Sequence, residues 1–354
     1  MTGTARLPTV RALLVGCGGI SRAWLRAARD IAGLEVVGLV DLDREAARQR
    51  AAEFGLADRF IGDDLDAALA ETAPDAVFDC AVPEAHAGIT LAALRAGCHV
   101  LGEKPLATTL ADARRLVVAA REAGKIFAVI QNRRYDPNIR RLRAFLQSGA
   151  LGRLTAVESD FHIAAHFGGF RDVMPHVLLL DMAIHTFDAA RLLTGADPLT
   201  VYCHEWNPPG SWYAHGAAAA AIFELTGDIV YTYRGSWCAE GLNTAWEAVW
   251  RVTGERGSVT WDGAEGFAAQ VVVEPGSPGH LRSTYRDVAV PPLPAGEQAT
   301  GHAGVLHEFV RCVRDGASPE TTAADNIKSL AMVLGAIASA ERGERVALDV
   351  GRGP

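Results

Sequence analysis

Residues Arg11 to Trp24 read RALLVGCGGISRAW, and the order of that stretch decides the fold. A continuous apolar run ends at Gly16, small residues follow at Gly18 and Ser21, and a helical pattern opens at Ile20. An apolar run this short, without alternation, suits a strand buried on both faces. Gly16, Gly18 and Ser21 fill a Gly-x-Gly-x-x-Gly/Ala frame between that strand and the helix. The first glycine allows a tight turn, and the second lets backbone approach a pyrophosphate. The third position needs a small residue for helix–strand packing, and Ser21 departs from the usual glycine or alanine there. Free N–H groups and the helix dipole then favour the anion. Asp41 closes the next strand pattern, LEVVGLVD, at roughly the spacing of a carboxylate that binds the adenosine ribose. Such a carboxylate repels a 2′-phosphate, so NAD is expected in preference to NADP. Gly16, Gly18, Gly19, Ile20 and Asp41 are the first expected cofactor contacts.

Outward from this stretch, short apolar runs alternate with helical patterns as far as Ile130. DAVFDCAV, HVLGE and KIFAVIQ read as further strands, and AHAGITLAALRAG and LADARRLVVAAREAG as helices between them. Alternation of this kind builds a doubly wound parallel sheet. After Asp136 the pattern changes. VLLLDMAIHTFDAARLLTG reads as an apolar helix, and from Thr200 to about Val290 strand-like runs follow one another without helical spacers. The expectation is an α/β chain: a Rossmann domain over 8–131, then an α+β domain with a large, mostly antiparallel open sheet over 132–350. The second domain would take the substrate and mediate self-association. PPLPAGEQATG, residues 291–301, breaks the chain before two closing helices.

Composition excludes several classes. With 49% hydrophobic and 21% charged residues, a large core can form and disorder is not expected. The net charge of -8, with no long Lys/Arg run, argues against nucleic acid. The six cysteines contain no Cys-x-x-Cys pair, the amino terminus has no apolar signal core, and no apolar run is long enough for a membrane span. A soluble cytoplasmic protein is expected.

Two further stretches carry chemistry. In HVLGEKPLATT, a strand pattern ends in Gly102-Glu103-Lys104-Pro105. Pro105 disfavours a helical conformation at Lys104 and keeps the loop extended. An amine held there can hydrogen-bond a substrate hydroxyl, stabilise an alkoxide and relay its proton. In LLLDMAIHTFD, Asp181 and His185 lie four apart on a helical pattern, so they share a face, and both interrupt an apolar segment.

The ordered set VGCGGIS, VDLD, AVPEAH, AALRAGCHVLGEKPLATT, NRRYDP, LLLDMAIHTFD and AADNIKSL resembles the Gfo/Idh/MocA oxidoreductases, over nearly the whole chain. The resemblance implies Lys104 in the active site beside the nicotinamide, His185 as general base and Asp181 on the substrate. It places Val82, Pro83, His86, Glu103 and Arg133 with Lys104 along the cofactor. Val82 stands where a threonine is common, and Ala183 where a glycine is common. Tyr135, His162 and Trp237 are candidates for the substrate pocket. No metal is expected, although His162, His166, His176 and His185 cluster in sequence.

The resulting expectation is an NAD-dependent dehydrogenase acting on a secondary hydroxyl of a sugar, cyclic polyol or sugar derivative. Its partners would be that small molecule and further copies of itself, as a dimer or tetramer. Two other readings use the same residues: a redox-neutral enzyme retaining NAD for elimination or glycoside cleavage, and a cofactor-sensing regulator without catalysis.

Overall fold

The computed structural model describes residues 9–279, 281–294 and 300–350. The expected domain start at residue 8 and residues 295–299 of the proline-rich break lie outside them. The chain forms two compact units.

In the first unit the strands are β1 (Val10–Val15), β2 (Leu34–Val40), β3 (Phe60–Gly62), β4 (Ala76–Asp79), β5 (His99–Gly102) and β6 (Phe127–Val129). Helices α1 (Ser21–Arg29), α2 (Arg44–Glu53), α3 (Leu65–Thr72), α4 (Pro83–Arg95) and α5 (Leu110–Ala123) alternate with them. The strands lie in the order β3-β2-β1-β4-β5-β6, all parallel, which is the doubly wound arrangement expected. β3 and α3 were not legible: three residues carry too little pattern to register as a strand. Phe78, Leu14 and Leu101 are fully buried at the centre of this sheet, as strands covered on both faces require.

Among the described residues the second unit holds α6 (Pro137–Gln147), α7 (Ile184–Thr194) and nine strands, the first of them β7 (Leu154–His162). After β8 (Pro198–Trp206) come β9 (Ala218–Leu225), β10 (Ile229–Ser236), β11 (Val249–Gly254), β12 (Gly257–Trp261), β13 (Phe267–Glu274), β14 (Thr284–Val288) and β15 (Val346–Ala347). The order is β14-β13-β12-β11-β7-β10-β9-β8-β15, antiparallel throughout except for β7 beside β10. Residues 245–248 stay outside the sheet, and β11 begins at Val249.

The division differs from a single boundary at 131. The helix α8 (Gly301–Asp315) belongs to the first unit, where Val305, Leu306, Phe309 and Val310 join its core. The 3-10 turn Asn132–Tyr135 joins the same unit, because the Tyr135 hydroxyl donates to the Glu308 carboxylate of α8. The long helix α9 (Ala323–Arg342) passes to the second unit at Lys328. There Ser329 donates to the buried Asp188 carboxylate at 2.6 Å and accepts from Arg191 at 2.9 Å, which ties α7 to α9. Asp188 is therefore a buried structural anchor.

Candidate active site

The dinucleotide-type loop comes first because its backbone is the most constrained. Gly16 has φ +91°, and a Cβ there would sit 2.6 Å from the backbone of Cys80 and Ala81. Only glycine fits, since both the conformation and the space exclude a side chain. At Gly18 and Gly19 a Cβ would meet nothing within 4 Å, so their backbone faces open space that a pyrophosphate can enter. Among the described residues no side chain caps α1, which leaves its amino terminus to an anion. Ser21 is fully buried and its hydroxyl donates to the Gly18 carbonyl at 2.6 Å. That bond explains how serine takes a position that usually demands an apolar small residue.

Asp41 is fixed from two sides. Its carboxylate accepts the Cys17 N–H at 2.6 Å and the Asp43 N–H at 2.9 Å. Asp43, not Asp41, caps α2 through Glu45 and Ala46. Asp41 thus stands beside the glycine loop with lone pairs left for ribose hydroxyls. The neighbouring Cys17 thiol is pushed up to about 12 by burial, with the Asp41 charge adding to the effect. It stays a neutral thiol at physiological pH.

The Lys104 mount is built from the opposite side of β4. Lys104 follows the carboxyl end of β5, as the glycine loop follows that of β1, and both strands flank β4. The Lys104–Pro105 bond is cis. Glu103 is buried, with one oxygen accepting the Trp24 indole N–H at 2.8 Å and the other the Lys104 backbone N–H at 3.2 Å. Its backbone N–H donates to the Asp79 carbonyl at 2.8 Å. Glu103 accordingly holds the loop to α1 and β4, so its carboxylate is spent on positioning Lys104. His302 of α8, which nothing in its surrounding sequence marked, lies with Nε2 4.0 Å from the same carboxylate. Burial lowers the affinity of the His302 ring for a proton; Glu103 opposes that and the Lys104 ammonium adds to it.

The remaining first-unit candidates divide. Val82 is exposed immediately before α4, and Pro83 opens that helix. His86 is instead interior: its Nδ1 lies 2.9 Å from the Asp79 carboxylate and couples α4 to β4. Tyr135 is committed to Glu308, so its hydroxyl serves the first unit's core and not a substrate pocket. Arg133 is half-buried on the Asn132–Tyr135 turn.

In the second unit the expected single helix is two segments. Leu178–Ala183 is a π-helix, and α7 continues from Ile184. Widened turns of this kind occur frequently at functional sites. From Val177 to Leu193, only Leu180, Asp181 and His185 escape full burial, so the two polar residues reach one accessible strip. Ala183 is buried without strain in the right-handed region, at φ -62°. Asp181 is gripped by a residue the sequence did not single out: Arg171 Nε and Nη2 donate to its two oxygens at 2.7 and 3.3 Å. Arg171 sits in the 3-10 turn Gly169–Val173.

Two substrate candidates are placed elsewhere. Trp237 is 2% exposed and packs edge-on against Phe161 and Phe167 at 5.5 and 5.6 Å, so it is core and offers no face to a sugar. His162 alternates with the buried Val157, Ser159 and Phe161 and falls on the opposite face of β7, with Glu158 and Asp160. His166 stacks on Trp212 and meets Glu240 at 2.9 Å. Among the described residues no group of three His, Cys, Asp or Glu is arranged to hold a metal.

Family comparison matches both units. Residues 10–131 fit the model of the oxidoreductase family with an NAD-binding Rossmann fold, and residues 139–260 fit that of the GFO/IDH/MocA C-terminal domain. This chain is a member of the Gfo/Idh/MocA oxidoreductase family. It is 28% identical over 346 residues to the 1,5-anhydro-D-fructose reductase of Ensifer adhaerens, covering 96% of this chain and 98% of that protein. It is also 28% identical to the D-apiose dehydrogenase of Paraburkholderia graminis, over 98% of this chain and 91% of that one. Among solved structures, an oxidoreductase from Agrobacterium radiobacter in complex with NAD+, L-tartaric acid and magnesium superposes with a TM-score of 0.82. Identity to it is 21%, over 96% of this chain and 98% of that chain. The Gfo/Idh/MocA member described here is therefore an enzyme, an NAD-binding oxidoreductase. No helix among its described residues is long and apolar enough to cross a membrane.

His176, just ahead of the π-helix, yields a pH prediction. Its Nδ1 meets Glu205 at 2.5 Å, and that hydrogen bond raises the proton affinity of the ring, against the effect of burial. A raised folded-state value stabilises the fold fully below the unfolded value and loses that stabilisation as pH rises through the folded one. His176→Asn keeps a residue type tolerated at φ +52°. Wild type should exceed it in urea-unfolding free energy by about 1–2 kcal/mol near pH 6. The gap should shrink toward about pH 9 as the charged pair is lost.

Proposed function

We propose that this chain is an NAD-dependent dehydrogenase that oxidises a secondary hydroxyl of a sugar, cyclic polyol or sugar derivative. The observation that carries the reading is the mount of Lys104. The amine-bearing loop leaves the same edge of the parallel sheet as the glycine loop. Glu103 ties it to Trp24 in α1, the helix that the glycine loop opens. An amine fixed at that edge serves chemistry next to a dinucleotide. The names of the two relatives, 1,5-anhydro-D-fructose reductase and D-apiose dehydrogenase, support the substrate class.

In this reading Gly16, Gly18, Gly19 and Ile20 carry the pyrophosphate, Asp41 the ribose, and Val82, Pro83 and Arg133 the wall of the cofactor site. His86 and Glu103 hold that wall from within. Bound NAD supplies the hydride acceptor, nicotinamide C4. His185 takes the hydroxyl proton, Lys104 stabilises the alkoxide charge and passes protons on, and Asp181 orients the hydroxyl. The enzyme works in the cytoplasm, in keeping with six unpaired cysteines. The open face of the second sheet, with Tyr202 and Ile222 adjacent and exposed, pairs with another copy.

The test is NADH formation by the purified protein with NAD and a panel of inositols, aldoses, amino sugars and glycosides. At least one class should give steady turnover with free NADH. NAD binding without NADH formation across the panel would overturn the reading.

A further inference from the structure

We propose that Arg171 is a specificity-determining residue, which reads a second hydroxyl beside the one that reacts. The inference rests on the dehydrogenase reading and on the place given there to Asp181.

Arg171 and Asp181 form a two-point ion pair, through Nε and Nη2, and the Asp181 side chain is only 12% exposed. A carboxylate so withdrawn from water needs a partner held in one geometry. The guanidinium is held that way by two aromatic faces, with its carbon 5.1 Å from the Phe167 centroid and 4.7 Å from the Phe170 centroid. Stacking of this kind restrains the planar cation and leaves its edges to donate. Nη1 has no hydrogen-bond partner among the described residues, and the Arg171 side chain is 31% exposed. The pair therefore presents an acceptor, Asp181, fixed beside unspent donors, the Nη1 N–H groups.

A single alcohol uses only the acceptor. Two hydroxyls on neighbouring ring carbons use both: one donates to Asp181 while the oxygen of the other accepts from Nη1. The substrate class is thus narrowed to polyols whose reacting carbon has a hydroxyl-bearing neighbour. Analogues that lack this neighbour leave the donor unpaired in a partly buried site, and sites of that kind reject such analogues strongly.

The test measures kcat and KM with NAD for wild type, Arg171→Met and Arg171→Lys. The substrates are myo-inositol, D-glucose and methyl α-D-glucoside, and the monodeoxy analogues of whichever is turned over. Arg171→Met should lower kcat/KM for the parent polyol by about 100-fold, chiefly through KM, as expected for a lost binding contact. On the deoxy analogue that lacks the contacted hydroxyl, the loss should be at least about tenfold smaller, because only the support of Asp181 is removed there. Arg171→Lys, which keeps a donor but not the fork, should regain about tenfold. Should Arg171→Met fail to fold, the parent-to-deoxy ratio of Arg171→Lys tests the same point, with an expected drop of about tenfold. An equal loss on parent and deoxy substrates would show structural support alone and overturn the proposal, as would an unchanged parent. A wild type that binds NAD and turns over no polyol removes the dehydrogenase reading first, and this inference with it.

Discussion

Lys104→Ala should lower kcat by about 10³-fold, with the affinity for NAD, measured by titration calorimetry, unchanged within about threefold. The size follows from the two duties proposed for Lys104, charge stabilisation at the developing alkoxide and proton relay, which would be lost together. Preserved NAD affinity follows from the mount. Glu103 binds the loop through Trp24, and through the Lys104 backbone N–H, which alanine also has. Small primary amines added to Lys104→Ala should restore part of the rate. An unchanged kcat would show that the ammonium takes no part in the chemical step.

His185→Ala should cost about 10²–10⁴-fold in kcat, the range of a lost general base, with NAD affinity again preserved. The deficit should narrow at high pH, where hydroxide replaces the missing base. His185→Asn, which keeps polarity without a basic nitrogen, should be as slow as His185→Ala. A fast His185→Asn would mean that the ring serves structure alone. For both alanine variants, kcat and kcat/KM for the polyol should fall equally, the mark of an interaction made only in the transition state.

Much of this arrangement was legible in the sequence, for identifiable physical reasons. The parallel sheet announces itself through apolar runs that must be buried on both faces, and the glycine loop through positions where a Cβ has no room, as at Gly16. The mount of Lys104 was half legible. Pro105 shows that the loop is rigid, but not that Trp24, 79 residues away in the chain, secures it. Long-range partners of that sort leave no local pattern. His302 and Arg171 were missed for this reason, each acting on a residue of another element. Trp237 and Tyr135 erred in the other direction. Aromatic residues suit sugar faces and protein cores equally well, and only packing showed that Trp237 is enclosed by Phe161 and Phe167. The π-helix lay beyond reach too, since an apolar run with one added residue per turn looks like a continuous α-helix.

The most direct measurement is isotopic. The panel compound that reduces NAD is prepared with deuterium at each secondary carbon in turn, and the nucleotide product is examined by NMR. Hydride transfer from a single alcohol carbon requires deuterium at nicotinamide C4 from one labelled position only, in one stereochemical sense, with the oxidised polyol formed in equal amount. Deuterium that washes into water, or a product altered at a glycosidic bond while the nucleotide stays NAD, would contradict it.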